Sequence, residues 1–337
     1  MCLTWPARDI IKIGHVERGL MPTDLCSRAR RRARALTALL LSLLPTGAWA
    51  LGSLTPGYLD EFDAQKTSVS LGNGVALAYI DMGPRSAPPV VLIHGYTDSA
   101  RDWAPIAPLL TRFRLIIVDL RGHGASSKPD CCYTRFDFAD DIKLLLDRLH
   151  IERADIIGHS LGSIAAQTFA ELWPQSTRRL VLISSTGTSF GIPDAGMQSA
   201  HLRLPSWLAS VEELKDPIDP DGAFMRNWWQ VSLSVNPQFF SSRQRRDAAA
   251  IPARIWRAIA DQCLIGVDLR WMLPRIQART LLIWGARDAL MSASGRDALR
   301  TGIARAEVRI FPALGHDLFW QDPRAVATVL IDFLANR

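Results

Sequence analysis

Apolar positions along the chain fall into short continuous runs separated by amphipathic stretches. Residues 90–93 (Val-Val-Leu-Ile) and 115–118 (Leu-Ile-Ile-Val) are uninterrupted, the pattern of strands buried on both faces of a parallel sheet. Residues 180–183 and 280–284 read the same way, and residues 308–311 predict a last strand. Ahead of them, residues 69–71 and 75–81 alternate in the strand manner around Gly72-Asn73-Gly74, whose Asn-Gly predicts a hairpin. Phe138, Ile142, Leu145, Leu146 and Leu149 recur at helical spacing. Residues 163–173 predict another helix, and residues 324–334, after Pro323, a terminal one. Strand and helix alternate, so the expected fold class is α/β with a doubly wound, mostly parallel sheet.

The alternation stops after about Thr186. Up to residue 273 no comparable buried strand occurs, while Trp207, Trp228, Trp229, Trp256 and Trp271 accumulate and residues 251–264 carry an amphipathic helical pattern. Residues 187–273 are therefore expected to form a helical cap inserted into a core of residues 51–186 and 274–337.

Composition sharpens the picture at one end only. The net charge is +6, yet residues 1–50 hold eight Lys/Arg against three Asp/Glu, which leaves the remaining 287 residues at +1. A near-neutral body without a basic stripe argues against nucleic-acid binding. The excess belongs to a three-part pattern: five arginines between Arg28 and Arg34, an apolar run over residues 35–44, and Ala48-Trp49-Ala50. That is the plan of a secretory signal, with cleavage near Ala50, Met21 as an alternative start, and a periplasmic or secreted product expected. The run is short against the roughly 20 residues of a bilayer span, so no stable span is expected; an uncleaved anchor is the alternative. Beyond residue 50 only Cys131, Cys132 and Cys263 remain, with neither a disulfide framework nor zinc-ligand spacing.

The chemistry gathers at strand ends. Residues 155–162 run from a buried strand into Gly158-His159-Ser160-Leu161-Gly162 and then a helix. Such a turn exposes the central hydroxyl in a strained backbone, which makes Ser160 the expected nucleophile; an ordinary N-cap serine would leave both glycines unexplained. A serine hydroxyl needs a base, and the base a carboxylate. His316 follows the last strand and Asp288 the strand before it, in the chain order Ser, Asp, His. Asp317 competes with Asp288 for the acid role. The backbone N–H groups of Leu161 and of Tyr96, in His94-Gly95-Tyr96, are the expected oxyanion donors. His94, Gly95 and His159 are expected to support them, and His123 to organise a loop at the same end of the sheet.

These pieces together resemble the α/β-hydrolase fold superfamily, in particular its esterase/lipase-like branch with a helical cap. The matching residues are His94-Gly95-Tyr96, Asp119 to Gly124 with Ser126, Gly158 to Gly162, Trp284 to Asp288 and Gly315-His316. The resemblance implies a Ser160–Asp288–His316 triad, no cofactor or metal, and a small-molecule ester substrate under the cap. Ser160 sets the chain apart from the dehalogenase and epoxide-hydrolase branches, which carry aspartate there. Gly-His-Ser in place of Gly-Asn-Ser weighs against carbon–carbon hydrolases. Ser163, where relatives often have glycine, is a departure. An amide, thioester, lactone or C–C bond is the alternative substrate, and a non-catalytic binder a further one. Oligomeric state is not legible.

Overall fold

A computed structural model describes residues 54–188, 206–229 and 238–335 of the 337-residue chain. The expected signal segment, residues 1–50, lies outside the described residues. Eight strands form one sheet: β1 Thr67–Ser70, β2 Ala76–Met82, β3 Pro89–Ile93, β4 Arg114–Val118, β5 Ala154–His159, β6 Thr177–Ile183, β7 Arg279–Gly285 and β8 Ala306–Phe311. Their order is β1-β2-β4-β3-β5-β6-β7-β8. The first two pairings are antiparallel and the rest parallel. The Asn-Gly hairpin forms between β1 and β2, with Ser70 opposite Ala76 and the Asn73 carboxamide accepting from the Val75 N–H.

The continuous apolar runs have a structural cause. Val91, Ile93, Ile116, Val118, Ile156 and Leu182 face one hydrophobic layer, shared with Phe138, Ile142, Leu145 and Phe169. The alternate residues Val90, Leu92, Ile117, Ile157, Val181 and Ile183 face the other, which includes Trp103, Phe319, Leu330 and Phe333. A strand covered on both sides leaves little room for a polar residue, and the buried Asp155 of β5 is paired with Arg178. β8 lies at the edge, and there Val308 and Ile310 are exposed. Helix Arg135–Arg148 opens on a reciprocal Thr134–Asp137 capping box. It is joined to helix Leu161–Leu172 by the buried Arg135–Glu171 ion pair at 2.7 Å.

Besides the single turn Leu318–Gln321, two helices escape the sequence reading, Pro56–Ala64 and Ala293–Gly302. Both are short: each opens on a side-chain cap, Thr55 or Ser292, and buries few apolar side chains, Leu59 and Phe62 in the first and Leu299 in the second. Among the described residues between β6 and β7 no strand joins the sheet; they form helices Ser206–Ala209, Ala223–Trp229, Gln238–Ala249 and Ala253–Ile259. The helix expected over 251–264 ends early, its last turn, Ala260–Leu264, widening to π geometry. No described helix is long and apolar enough to cross a membrane. Cys131, Cys132 and Cys263 are free thiols.

Candidate active site

β5 delivers its last side chain and turns at once into helix Leu161–Leu172, leaving Ser160 at φ 50°, ψ −119°. A non-glycine residue in that region is strained and persists only where its surroundings enforce it. Here the enforcement is close packing. A Cβ on Gly158 would lie 2.1 Å from the Gly162 carbonyl oxygen, and one on Gly162 would lie 2.3 Å from that of His94. The two motif glycines thus let helix, nucleophile strand and the loop after β3 touch through their backbones. Ser163, the departure from the family pattern, is buried and donates back to the Ser160 carbonyl at 2.5 Å.

The loop after β3 runs beside the serine: a Cβ on Gly95 would lie 3.3 Å from Ser160 Cβ. Among the described residues neither the Tyr96 N–H nor the Leu161 N–H has an acceptor. His94 and His123 organise this end of the sheet. His94 Nε2 accepts from the Leu120 N–H and its Nδ1 meets the Gly95 carbonyl, while His123 Nε2 accepts from the Thr97 N–H. Burial drives both imidazoles down to about 3, so they are neutral and free to accept. Asp119 takes the N–H groups of Ala100 and Ala125, and Ser126 bonds the Asp119 carbonyl, so the Asp119 to Gly124 motif is structural.

His316 follows β8, with Nδ1 3.1 Å from Asp288 Oδ2. The other carboxylate oxygen of Asp288 accepts from the Leu290 N–H at 2.9 Å. Burial alone would raise this carboxyl, but His316, the Leu290 N–H and the Arg296 charge outweigh it and bring it down to about 2. Asp317, the competing acid, points elsewhere: its Oδ1 lies 3.7 Å from His159 Nε2. Ser160, His316, Leu161 and Tyr96 line one cleft of about 840 Å³, open to solvent. Trp228, Trp229, Leu264, Leu290 and Met291 also line it, and Asp98 and Asp317 are its acidic members. Trp228 and Trp256 pack against the Tyr96 ring, while Trp271 stands exposed away from it and the Trp207 side chain lies outside the described residues.

The sequence reading missed the buried acids Asp98 and Asp102 and the role of Asp317. Asp98 accepts from Gln244 Nε2 at 3.2 Å, and burial together with the Asp102 and Asp317 charges raises its pKa well above the carboxylate range. In sequence these are ordinary loop charges; only the fold closes water off from them. Two trios converge enough to chelate an ion, His159–His316–Asp317 and Asp98–Asp102–His159, each with ligand atoms within 4.8 Å of one another.

An eight-stranded mostly parallel sheet, a strained serine between β5 and its helix, and a histidine–carboxylate pair after β7 and β8 define a hydrolase of α/β fold. The chain belongs to the alpha/beta hydrolase fold family, whose pattern it matches over residues 88–323. It is 32% identical over 260 residues to the 2-hydroxymuconate semialdehyde hydrolase of Pseudomonas sp. (strain CF600), covering 74% of this chain and 87% of that protein. A hydrolase from Pseudomonas aeruginosa PA01 superposes with a TM-score of 0.67 at 28% identity, over 80% of this chain and 98% of that one. A carboxylesterase from Bacillus subtilis superposes equally well, TM-score 0.67 over 82% and 96% of the two chains, but at 23% identity it speaks for the fold alone.

Proposed function

We propose that this hydrolase cleaves carboxylic esters of small, neutral, largely apolar compounds through a Ser160–His316–Asp288 triad. The observation that carries the reading is the 3.1 Å contact of His316 Nδ1 with Asp288, beside a serine held in the strained elbow. In this mechanism His316 Nε2 takes the Ser160 proton as Oγ attacks the ester carbonyl carbon. Asp288 stabilises the imidazolium that forms, and the Leu161 and Tyr96 N–H groups receive the oxyanion. Collapse breaks the C–O bond, His316 protonates the departing alcohol, and a water activated by the same imidazole releases the acid and regenerates Ser160.

The neutrality of the substrate is inferred from the cleft. Among its described lining residues there is no Lys or Arg, while Asp98 and Asp317 are present. An anionic substrate would find no Lys or Arg there, and His159, which also lines the cleft, already faces Asp102 and Asp317. The 32% identity to a 2-hydroxymuconate semialdehyde hydrolase favours a second reading, the same triad acting on a substrate of that kind. We also propose export, with the segment before residue 51 removed.

Purified residues 51–337 and a Ser160→Ala copy are treated with a fluorophosphonate probe and a short p-nitrophenyl ester. Labelling and turnover in the parent alone support the reading. A well-folded parent that does not label contradicts it, and turnover of 2-hydroxymuconate semialdehyde in preference to neutral esters favours the second.

A further inference from the structure

His159 has no step in that mechanism, yet it is 1% exposed and its ring lies 5.1 Å from that of His316. Its Nε2 faces the main-chain oxygen of His316 at 3.2 Å and Asp317 Oδ1 at 3.7 Å. Its Nδ1 faces Asp102 Oδ2 at 3.5 Å. All three neighbours are acceptors. Against an ionised Asp102, a neutral imidazole would set its remaining lone pair toward an oxygen whichever nitrogen kept it. With both nitrogens protonated, each contact becomes attractive. The Asp102 carboxyl is fully buried and has no hydrogen-bond donor among the described residues; burial raises its pKa, and the His159 imidazole 3.5 Å away opposes that rise.

The His316 carbonyl is held twice, by His159 Nε2 and by Ser184 Oγ at 2.6 Å. Phe319 packs edge-on against the His159 ring at 5.1 Å and closes the remaining side. We propose that His159 is a positioning residue for the chemical step: its ring ties the segment after β3, through Asp102, to the main chain of His316, and so fixes the imidazole that receives the serine proton. The inference rests on the triad reading above.

Among the described residues, the charged and titratable groups facing the ring come from these elements. Asp98, Asp102 and the neutral His94 belong to the segment that follows β3, and His316 and Asp317 to the segment that follows β8. Burial opposes a charge on His159, but its contact with Asp102 and the charges of Asp102 and Asp317 outweigh it and raise the imidazole. A raised imidazole holds its proton to higher pH than a free one and loses it as pH climbs past the raised value. The tie therefore loosens on the alkaline side.

Hydrolysis of p-nitrophenyl butyrate between about pH 5.5 and 9.5 is compared for the parent, His159→Asn, His159→Gln and Asp102→Asn enzymes, with a melting curve for each. In variants that melt cooperatively, kcat at about pH 7 is expected to fall at least about tenfold while KM stays within about threefold. The alkaline fall of the parent is expected to vanish from the His159 variants and to move to lower pH in Asp102→Asn. If neither His159 variant folds, the shift in Asp102→Asn decides. A folded His159 variant with the parent's kcat and pH profile overturns the inference, as does an Asp102→Asn profile superimposable on the parent's. Fluorophosphonate labelling separates the two levels: an unlabelled parent means that the triad reading has failed, whereas a labelled parent with unaltered His159 variants means that only this inference has.

Discussion

His316 Nδ1 lies 3.1 Å from Asp288 Oδ2, two residues 28 apart in sequence that reach each other from the ends of neighbouring parallel strands. The contact leaves His316 Nε2 free of the carboxylate. It also explains why Asp288 ionises at unusually low pH despite its burial.

Removing that carboxylate while keeping its shape is expected to disable the chemistry and spare the fold. Asp288→Asn should lower kcat by about 10³–10⁴-fold with a small change in KM, measured on p-nitrophenyl butyrate.

The depressed carboxyl also sets an acid limit. A carboxylate whose folded pKa lies below its unfolded value contributes stability above the unfolded value and loses it as pH falls through the folded one. For Asp288 that window runs from about 4 down to about 2 and is on the order of 2 kcal/mol. Urea titrations at successive pH values should show the parent losing more stability across this window than Asp288→Asn.

The glycines flanking the nucleophile are tested by their smallest enlargement. Gly158→Ala puts a methyl 2.1 Å from the Gly162 carbonyl oxygen, so it should cost more than about 3 kcal/mol or yield no soluble protein. Ser163→Gly removes a back-bonded hydroxymethyl group at the start of the helix and should change stability by about 1 kcal/mol. Thermal melting of both variants checks the contrast.

Arg135 and Glu171 form a buried pair that joins two helices on one face of the sheet. Breaking it from one side strands the other charge, so Glu171→Ala should destabilise by about 3–5 kcal/mol. The double replacement Arg135→Met with Glu171→Leu should recover most of that loss, as read from chemical denaturation.

The cleft chemistry predicts discrimination by charge. A p-nitrophenyl ester whose acyl chain ends in a carboxylate should show kcat/KM at least about tenfold below that of the neutral ester of equal length. Equal values would remove the argument built on the absence of Lys and Arg from the described cleft lining.

The parts of the fold that were legible in sequence are those where burial leaves no choice of residue. The doubly covered strands β3 to β7 read as apolar runs, and Gly158 to Gly162 read as an elbow because backbone contact there tolerates no side chain. The triad candidates followed from their positions after strands. Helices Pro56–Ala64 and Ala293–Gly302 were not legible, since their caps are local and their apolar faces short. Nor were Asp98 and Asp102, because a carboxylate in a loop looks the same whether the loop faces water or, as here, closes over it. The helices between β6 and β7 were legible as a class but not as a surface: Trp228 and Trp229 reach the cleft while Trp271 does not.

The most direct test of the central claim is to trap the acyl-enzyme. The parent is mixed with excess p-nitrophenyl butyrate, quenched in acid within milliseconds, and mapped by peptide mass spectrometry. One butyryl group on the peptide containing Ser160, formed with a matching burst of p-nitrophenol and absent from Ser160→Ala, is the result predicted. Turnover with no adduct on that peptide, or an adduct and burst that persist in Ser160→Ala, would contradict it.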